Sequence, residues 1–274
     1  MHFPRLYAIL DTACFSSDDS LFAAAEELAS AGVTLMQYRN KSAGPPTRPL
    51  LACWGLGNAR QMLDHARQLK RRVGGRVTLI MNDRADLCLA ADFDGLHLGQ
   101  DDLSPESARR IIGASPLVAY QNAEAAKQNA EMANRNTEVA KQNAEKLRFV
   151  SGYRFSDIAS RSNSIAPLGA AARWLGVSTH NPEQLAAADK TSADYLAIGP
   201  VFATSSKANP DPVVGLEGVR RARQLTSKPL VAIGGITRAN APSVIEAGAD
   251  AVAVISDLLR DPRKSAEEFL RVLG

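Results

Sequence analysis

Eight short runs rich in apolar and β-branched residues alternate with helical patterns along almost the whole chain, and this alternation constrains the fold more than any other feature. Such an alternation predicts βαβ units built around a parallel sheet. The predicted strands are residues 5–11, 34–40, 77–83, 95–100, 174–179, 195–201, 229–235 and 251–256. Eight strands, each followed by a helix, is the count of a closed (β/α)8 barrel, the TIM barrel of the α/β class.

A doubly wound open sheet is the competing arrangement. That fold usually carries a glycine-rich fingerprint after its first strand. The corresponding segment here, LDTACFSSDDS at residues 10–20, contains no glycine. The sequence therefore favours one barrel domain spanning residues 1–274.

The alternation breaks between the fourth helix and the fifth strand, where we predict an insertion at residues 117–172. Residues 121–148 divide into four heptads with a seam of mostly alanine residues, spaced as in a coiled coil. An alanine seam buries little surface, which favours a solvated helix over a dimerising coiled coil and leaves a homo-oligomer open. Helix-to-strand loops lie on the N-terminal face of a barrel, so the insertion is expected to face away from the site.

Composition limits the classes of partner. The chain is 45% hydrophobic and 22% charged, as in ordinary soluble proteins, and its net charge of +3 does not suggest nucleic acid as a main partner. It lacks both a signal-peptide pattern and the ~18 consecutive apolar residues of a membrane span. Cys14, Cys53 and Cys88 have no metal-binding spacing and are expected to be small buried residues in a reducing compartment. We therefore expect a cytoplasmic protein that acts on small molecules.

Basic and amide side chains follow the second predicted strand. Alternation along that strand places Gln37, Arg39 and Lys41 on one face. This set suits a polyphosphate, because arginine makes bidentate contacts and lysine supplies a point charge. A solvated basic rim is the alternative.

Carboxylates gather at the next two strand ends. Strand three ends at Asn82 and Asp83, and strand four is followed by Asp101 and Asp102. Such acids can converge on Mg2+, which takes one or two carboxylates plus phosphate oxygens. Helix capping is the alternative for Asp83 or Asp102, but it does not explain clustering at two junctions. The acids between the two strand ends are expected to be ordinary surface or capping groups: Asp86, Asp92 and Asp94.

The last three strand ends offer anion-binding groups. A long loop after strand six carries Thr204, Ser206 and Lys207, which suit an anion, although a plain surface loop is the alternative. Glycines at 234–235 and residues 255–256 follow strands seven and eight, the usual phosphate-binding place in this fold, with simple turn chemistry as the alternative. A metal site, a polyphosphate-binding site and a separate monophosphate-binding site around one barrel end predict two phosphorylated substrates. They also predict a reaction in which pyrophosphate is displaced without a covalent nucleophile from the protein.

Five motifs together closely resemble the thiamine-phosphate synthase family. They are QYRNK, NDRADLCLAADFDGLHLGQDD, LGVSTHN, YLAIGPVFATSSK and VAIGGITRANAPSVIEAGADAVAVIS. The resemblance implies a (β/α)8 barrel that joins hydroxymethylpyrimidine diphosphate to a thiazole phosphate, with Mg2+ and release of pyrophosphate. It also implies a dissociative reaction through a pyrimidine methylene cation.

The resemblance assigns roles by motif. It implies that the pyrimidine diphosphate is held by Gln37, Arg39, Lys41, Asn82, Ser178 and Lys207, and that Asp83 and Asp102 bind Mg2+. It implies that the thiazole phosphate is received by Thr204, Ser206, Gly235, Ile255 and Ser256. Catalytic roles fall to Lys207, Arg39 and Lys41, with Lys207 stabilising the departing charge.

Three segments depart from the family pattern: the loop FATSSK, residues 42–58 and the heptads. Two other functions stay open. A thiazole tautomerase on the same scaffold would not need the diphosphate grip or the paired aspartates. A non-catalytic paralogue would bind a thiazole phosphate and act on a partner through the inserted helix.

Overall fold

The eight predicted strands form a closed barrel of parallel strands in a computed structural model of the chain. The structure describes residues 3–41, 56–116, 172–204 and 211–274, residues 56–58 by their backbone alone, and within the insertion residues 124, 127–128, 131–132 and 135. Strands pair in sequence order, and the last strand closes on the first through Leu6 opposite Val252. The predicted fold class is confirmed.

The strands lie where the apolar runs predicted them, and most are shorter at one or both ends. They are β1 (Leu6–Asp11), β2 (Leu35–Arg39), β3 (Thr78–Asn82), β4 (Gly95–Leu98), β5 (Trp174–Thr179), β6 (Tyr195–Ile198), β7 (Leu230–Ile233) and β8 (Ala251–Val254).

The described helices follow the predicted pattern, with two short additions. They are α1 (Asp18–Ser30), α2 (Leu56–Val73), α3 (Ala85–Ala90), α4 (Pro105–Ile112), α5 (Pro182–Asp189), α6 (Gly215–Leu225), α7 (Ala241–Glu246), α8 (Ser256–Leu259) and α9 (Pro262–Leu273). The sequence did not predict α8 or a 3-10 turn at Thr12–Cys14.

The chain divides into two compact units, Met1–Gly113 with Arg173–Gly274, and Ala114–Ala172. The first unit contains the barrel. Most residues of the second lie outside the described residues, and so do the whole heptad seam and the face predicted for the insertion. The structure of the insertion therefore stays a prediction.

Alternation along the strands divides the apolar residues into two layers. One set fills the barrel interior and includes Tyr7, Ile9, Leu35, Ile80 and Tyr195. The other set, from the alternate positions, packs outward against the helices. Side chains two residues apart on a strand therefore share a face, and polar residues in phase with the interior set are directed to the barrel mouth.

Two interior glycines make room for large neighbours. A Cβ atom on Gly176 of β5 would lie 2.0 Å from Cζ of Tyr195, and one on Gly95 of β4 would lie 2.6 Å from Ile80. A glycine inside a strand often marks such a close approach. The lack of a side chain at Gly176 thus gives the Tyr195 ring its place inside the barrel.

Three aspartates repeat one brace at the start of strand pairs. Asp94, Asp194 and Asp250 each stand one residue before an even-numbered strand. Their carboxylates accept the backbone N–H of Leu79, Leu175 and Leu230 on the preceding strand, at 2.8, 2.7 and 2.7 Å respectively. Each aspartate also pairs with a cation, namely Lys70, Arg109 and Arg223. We call these contacts the aspartate braces.

Arg109 also ties the two chain ends that flank the insertion. Its Nη1 donates to the carbonyl oxygens of Gly113 at 3.3 Å and Arg173 at 2.7 Å, while Nη2 bonds Asp194 at 2.6 Å. The Arg109 side chain, in the last turn of α4, therefore holds together the two residues between which the insertion leaves and rejoins the barrel, Gly113 and Arg173.

The expectations drawn from the three cysteines are met only in part. Cys88 is buried, but Cys14 is exposed in the turn after β1, so the prediction that it is buried was wrong. That turn breaks the apolar pattern, which is why the residue has no core to enter. Cys53 lies outside the described residues. In the described part of the chain, none of the helices has the length and apolarity needed to cross a membrane.

Candidate functional site

Polar side chains collect at the C-terminal end of the barrel, where five strands place them in phase with its interior. They are Asp11 on β1, Gln37 and Arg39 on β2, Asn82 on β3, His97 on β4 and Ser178 on β5. Gln37, Asn82 and His97 are buried, although each is polar. Buried polar groups require partners, so the contacts among these side chains define the site.

Each predicted cation at the end of β2 pairs with a carboxylate. The Arg39 guanidinium group forms an ion pair with Asp11, and Lys41 Nζ lies 3.3 Å from Asp83 Oδ2. The basic and acidic predicted residues are therefore neighbours. Asp11 was not predicted, although its place at the end of β1 marks it as a residue of the mouth.

Neither of the paired aspartates caps a helix through its side chain. The N-cap of α3 is Arg84, and the N-cap of α4 is Ser104, whose hydroxyl accepts the N–H of Ser107. Asp102 Oδ2 instead accepts the N–H of Gly99 at 2.7 Å, within the turn after β4. The capping alternative for the two acids is therefore wrong.

Asp83 has an unusual backbone conformation and a raised side-chain pKa. Its φ of 62° is in the left-handed region, which aspartate tolerates better than most residues. Its Oδ1 is buried and has no hydrogen-bond partner among the described residues. Burial, and then the neighbouring Asp102, raise the pKa of Asp83 to about 6, while Lys41 opposes this shift. An incompletely neutralised pair of carboxylates at a strained position is a place where a cation would relieve both burial and repulsion.

The described residues offer a pair of acidic groups rather than a larger metal cluster. Among them, no group of three or more His, Cys, Asp or Glu side chains could hold a metal ion. A pair is sufficient for a metal that takes its other ligands from substrate phosphate and water.

A continuous hydrogen-bond chain crosses the barrel from Gln37 to Ser178. Gln37 Nε2 donates to Tyr7 Oη at 2.8 Å, and Tyr7 Oη lies 3.0 Å from Tyr195 Oη. Tyr195 Oη lies 3.0 Å from His97 Nδ1, and His97 Nε2 lies 2.8 Å from Ser178 Oγ. We call these five side chains the interior relay. Its two ends are predicted substrate contacts, and its three middle members are buried.

The middle of the interior relay is electrically neutral at physiological pH. Burial, and secondarily the charge of Lys41, lower the pKa of His97 to about 4 against the opposing effect of Asp102. Burial likewise raises the pKa values of the Tyr7 and Tyr195 hydroxyls. His97 therefore carries one ring proton, and each of its nitrogens faces a hydroxyl group.

The glycines after β7 accommodate the neighbouring loop. Gly234 and Gly235 have φ of 100° and 63°, which only glycine adopts readily. A Cβ atom on Gly235 would lie 2.5 Å from the carbonyl oxygen of Ala203 and 2.8 Å from the Phe202 side chain. The turn chemistry and the packing of the β6 loop thus already require these glycines, beyond any role with phosphate.

Arg238 connects the two turns predicted to receive a phosphate. Its backbone N–H, Nε and Nη2 donate to the carboxylate of Asp257 at 3.0 to 3.1 Å, and Nη1 pairs with Glu268 of α9. Although burial alone would raise the pKa of Asp257, these bonds lower it. We call Arg238 and Asp257 the loop clamp.

Nearby, Asn240 bonds the turn rather than the helix it precedes, because its side chain accepts from Thr237 N at 2.7 Å and donates to Gly235 O at 3.1 Å. Ile255 packs partly against the interior core, and Ser256 begins α8.

Two predicted residues, Ser206 and Lys207, lie outside the described residues, which end at Thr204 on that loop. His180 hydrogen-bonds Gly199 O at 2.7 Å, as expected for a structural histidine. A cleft of about 400 Å3 lies beside it, lined partly by Asp211, Glu217 and Arg221, and the predicted binding residues that the structure describes do not line it.

Sequence reasoning missed Tyr7, Tyr195 and His97. Their signal was available in part, since each is a polar residue in phase with the interior face of a predicted strand. An aromatic residue in an apolar run is usually part of a core, so periodicity alone could not distinguish the two cases.

Known proteins match the chain over nearly its whole length. The family model described as thiamine monophosphate synthase matches residues 6–138 and 161–258. A thiamine-phosphate synthase of Koribacter versatilis is 47% identical over 273 residues, covering 98% of this chain and 96% of the relative. One of Chloroflexus aurantiacus is 35% identical, covering 98% and 92%.

A solved structure, thiamine phosphate pyrophosphorylase from Pyrococcus furiosus, covers 98% of this chain and 95% of its own at 26% identity, with a TM-score of 0.63. The comparisons confirm the resemblance and the predicted enzyme class, a transferase. The chain belongs to the thiamine monophosphate synthase family.

Proposed function

We propose that this enzyme is a thiamine-phosphate synthase that joins hydroxymethylpyrimidine diphosphate to a thiazole phosphate and releases pyrophosphate. The observation that carries the proposal is the contact between Lys41 and Asp83, whose carboxylate in turn interacts with that of Asp102. A site that binds only a monophosphate has no need for cations and acids in contact, whereas a metal-bound diphosphate interacts with both.

The charges at the mouth favour an anion only after a cation binds. Arg39 and Lys41 face Asp11, Asp83 and Asp102, so these five side chains carry a net charge of −1 when all are ionised. The residues present fit Mg2+, because Asp83 Oδ1 is buried and unpartnered in the described structure. Asp83 and Asp102 would hold the ion, which would supply positive charge to the diphosphate as it departs.

The protein's own groups would hold the diphosphate from several strands. Arg39, Lys41 and Ser178 would contact the diphosphate group, and Gln37 and Asn82 would contact the same substrate. Lys207 would stabilise the charge of the diphosphate as the bond to the pyrimidine methylene carbon breaks. When the diphosphate binds, the Lys41 ammonium group would exchange its ion pair with Asp83 for one with the phosphate oxygens, so its charge would stay paired throughout. The thiazole nitrogen would then capture the methylene cation, which requires no nucleophile from the protein.

The second substrate would bind beside the first, at the ends of strands six to eight. Thr204, Ser206, Gly235, Ile255 and Ser256 would receive its phosphate. The loop clamp supports this part of the proposal, because it fixes the turns after β7 and β8 against each other. A cytoplasmic location stays a prediction from the sequence.

The direct test is a two-substrate assay with purified protein. We expect formation of thiamine phosphate and pyrophosphate that requires both substrates and Mg2+ and is abolished by a chelator. Thiazole isomerisation without coupling would instead favour the tautomerase, and binding of thiazole phosphate without either reaction would favour a non-catalytic paralogue.

Breaking the loop clamp should weaken binding of the thiazole phosphate selectively. Asp257→Asn removes the carboxylate that ties Arg238 to the turn after β8, although Glu268 still pairs with Nη1, so the two turns are no longer held in register. We expect KM for the thiazole phosphate to rise roughly 10-fold, the lower end of the effect of losing a hydrogen bond to a charged group, while KM for the pyrimidine diphosphate stays within about twofold. Glu217→Gln, on an exposed face of α6, is the control. Equal changes in both KM values would contradict the assignment.

A further inference from the structure

We propose that Tyr7, Tyr195 and His97 are positioning residues that fix the hydrogen-bond direction of Gln37 and Ser178 together. In this proposal the interior relay makes Ser178 a donor to bound anion and turns the Gln37 amide so that its carbonyl oxygen faces the substrate. The inference rests on the proposed function for the identity of the ligand, but its central observable is a property of the protein alone.

The donors of the interior relay can all point one way without a conflict. If Gln37 donates to Tyr7, then Tyr7 donates to Tyr195, Tyr195 donates to His97 Nδ1, and His97 Nε2–H donates to Ser178 Oγ. Each hydroxyl then gives one hydrogen bond and receives one. The Ser178 hydroxyl proton stays available for a ligand.

The reverse direction changes both ends at once. Ser178 would donate to His97 Nε2, His97 Nδ1–H to Tyr195, and Tyr195 to Tyr7. Tyr7 would then need an acceptor, which requires the Gln37 amide to turn so that Oε1 faces it. Gln37 would present its NH2 group to the mouth and Ser178 only a lone pair. The two ends are therefore coupled across the barrel, although no direct contact between them is needed.

An anionic ligand selects the first direction. Phosphate oxygens only accept hydrogen bonds, so Ser178 can contribute to binding only by donating. To donate outward it must receive from His97, which fixes the proton of the neutral imidazole on Nε2. With the proton on Nε2, His97 Nδ1 accepts from Tyr195, Tyr195 accepts from Tyr7, and Tyr7 accepts from the Gln37 amide, so the orientation of that amide is fixed as well.

Packing keeps the relay from relaxing into another arrangement. The Tyr195 ring stacks on His97 with 5.6 Å between centroids and meets Tyr7 edge-on at 6.1 Å. The ring also fills the space that a side chain at Gly176 would need, since a Cβ atom there would lie 2.0 Å from Tyr195 Cζ. The two hydroxyls and the imidazole are therefore held within hydrogen-bond distance by the core itself.

The tautomer of His97 reports the direction of the hydrogen bonds in the interior relay, and it can be measured without an activity assay. Long-range 1H–15N NMR correlation on the full-length protein at pH 7.5, with and without inorganic pyrophosphate and Mg2+, reports which ring nitrogen carries the proton. We expect a neutral ring protonated on Nε2 when pyrophosphate is bound. Protonation on Nδ1 in that state would overturn the proposal, whatever the enzyme catalyses.

Two phenylalanine substitutions then locate the coupling. Tyr195→Phe keeps the ring but removes the donor to Nδ1. We therefore expect a mixture of tautomers and a loss in kcat/KM of about 10-fold, the upper end of the effect of losing one neutral hydrogen bond. Tyr7→Phe leaves Tyr195 able to donate to His97, so the Nε2–H tautomer should persist while KM for the pyrimidine diphosphate rises. A tautomer that does not respond to Tyr195→Phe would contradict the relay.

A double-mutant cycle gives the kinetic counterpart. Ser178→Ala should reduce kcat/KM for the pyrimidine diphosphate by about 10- to 100-fold, as expected for a hydrogen bond to a charged group. In the Tyr195→Phe background the same substitution should cost several-fold less, because the serine proton is no longer oriented. Losses that simply multiply would reject the coupling. Absence of synthase activity with the expected tautomers would reject the proposed function and leave the relay standing.

Discussion

Asp83→Asn is expected to reduce kcat/KM of the synthase reaction by about three orders of magnitude, since loss of a metal ligand removes several kcal/mol of transition-state stabilisation. Asparagine tolerates the left-handed φ of 62° as well as aspartate does, so the backbone should stay in place. Steady-state kinetics with saturating thiazole phosphate and a Mg2+ titration measure the effect.

The same substitution should make the metal-free protein more stable at high pH. The folded-state pKa of Asp83 is about 6, above the ordinary 3.8, so the folded protein binds more protons than the unfolded chain between these values. The stabilising influence of protonated Asp83 is fully present below pH 4 and is lost as pH rises through 6. Asparagine resembles the protonated acid at every pH, so Tm should rise at pH 8 and stay unchanged at pH 4.

The matched control is Asp86→Asn, which removes an exposed acid that pairs with Arg84 in the same segment. It should change neither turnover nor the pH profile of Tm by a measurable amount. Turnover of Asp83→Asn within tenfold of the parent enzyme would exclude Asp83 from metal binding.

Asp194→Ala is expected to be the most destabilising single substitution among the aspartate braces. The Asp194 side chain is 4% exposed, and it pairs with Arg109 while accepting the N–H of Leu175. Removing one partner of a buried pair costs about 3–5 kcal/mol, because the other charge is left unsatisfied. For a barrel of this size the loss corresponds to a fall in Tm on the order of 10 °C, measurable by calorimetry.

The other two braces provide an internal series for this prediction. Asp94 and Asp250 make the same backbone contact, but their side chains are 37% and 41% exposed. In the alanine variants of these two residues, water can hydrogen-bond the groups that lose their carboxylate partner. Each substitution should therefore lower the free energy of unfolding by no more than about 1–2 kcal/mol. Equal effects at all three positions would show that the backbone bond, rather than the buried ion pair, carries the stabilisation.

The strands and the polar residues at their ends could be predicted because both follow from local pattern. A parallel strand buried on both faces reads as an apolar run, and in a barrel the site must lie where such runs end. This reasoning placed Gln37, Arg39 and Asp83 correctly at the mouth without any knowledge of their contacts.

The partners of those residues could not be predicted in the same way. Tyr7 and Tyr195 are 188 residues apart, and only closure of the barrel brings their hydroxyls together. The pairing of Arg39 with Asp11 likewise depends on the register between β1 and β2. A periodic pattern specifies which face a side chain occupies, but it does not specify the rotamer or the neighbour across the barrel.

The position of Arg109 has a consequence for how the gene can vary. Because this side chain bonds both Gly113 and Arg173, the two points at which the insertion joins the barrel are held together without any contact from the insertion itself. The entropy of closing a flexible segment grows only with the logarithm of its length, roughly 0.6 kcal/mol for each doubling. Selection on barrel stability thus constrains the length of the segment between these points only weakly, and insertions or deletions there can accumulate while Arg109 is retained.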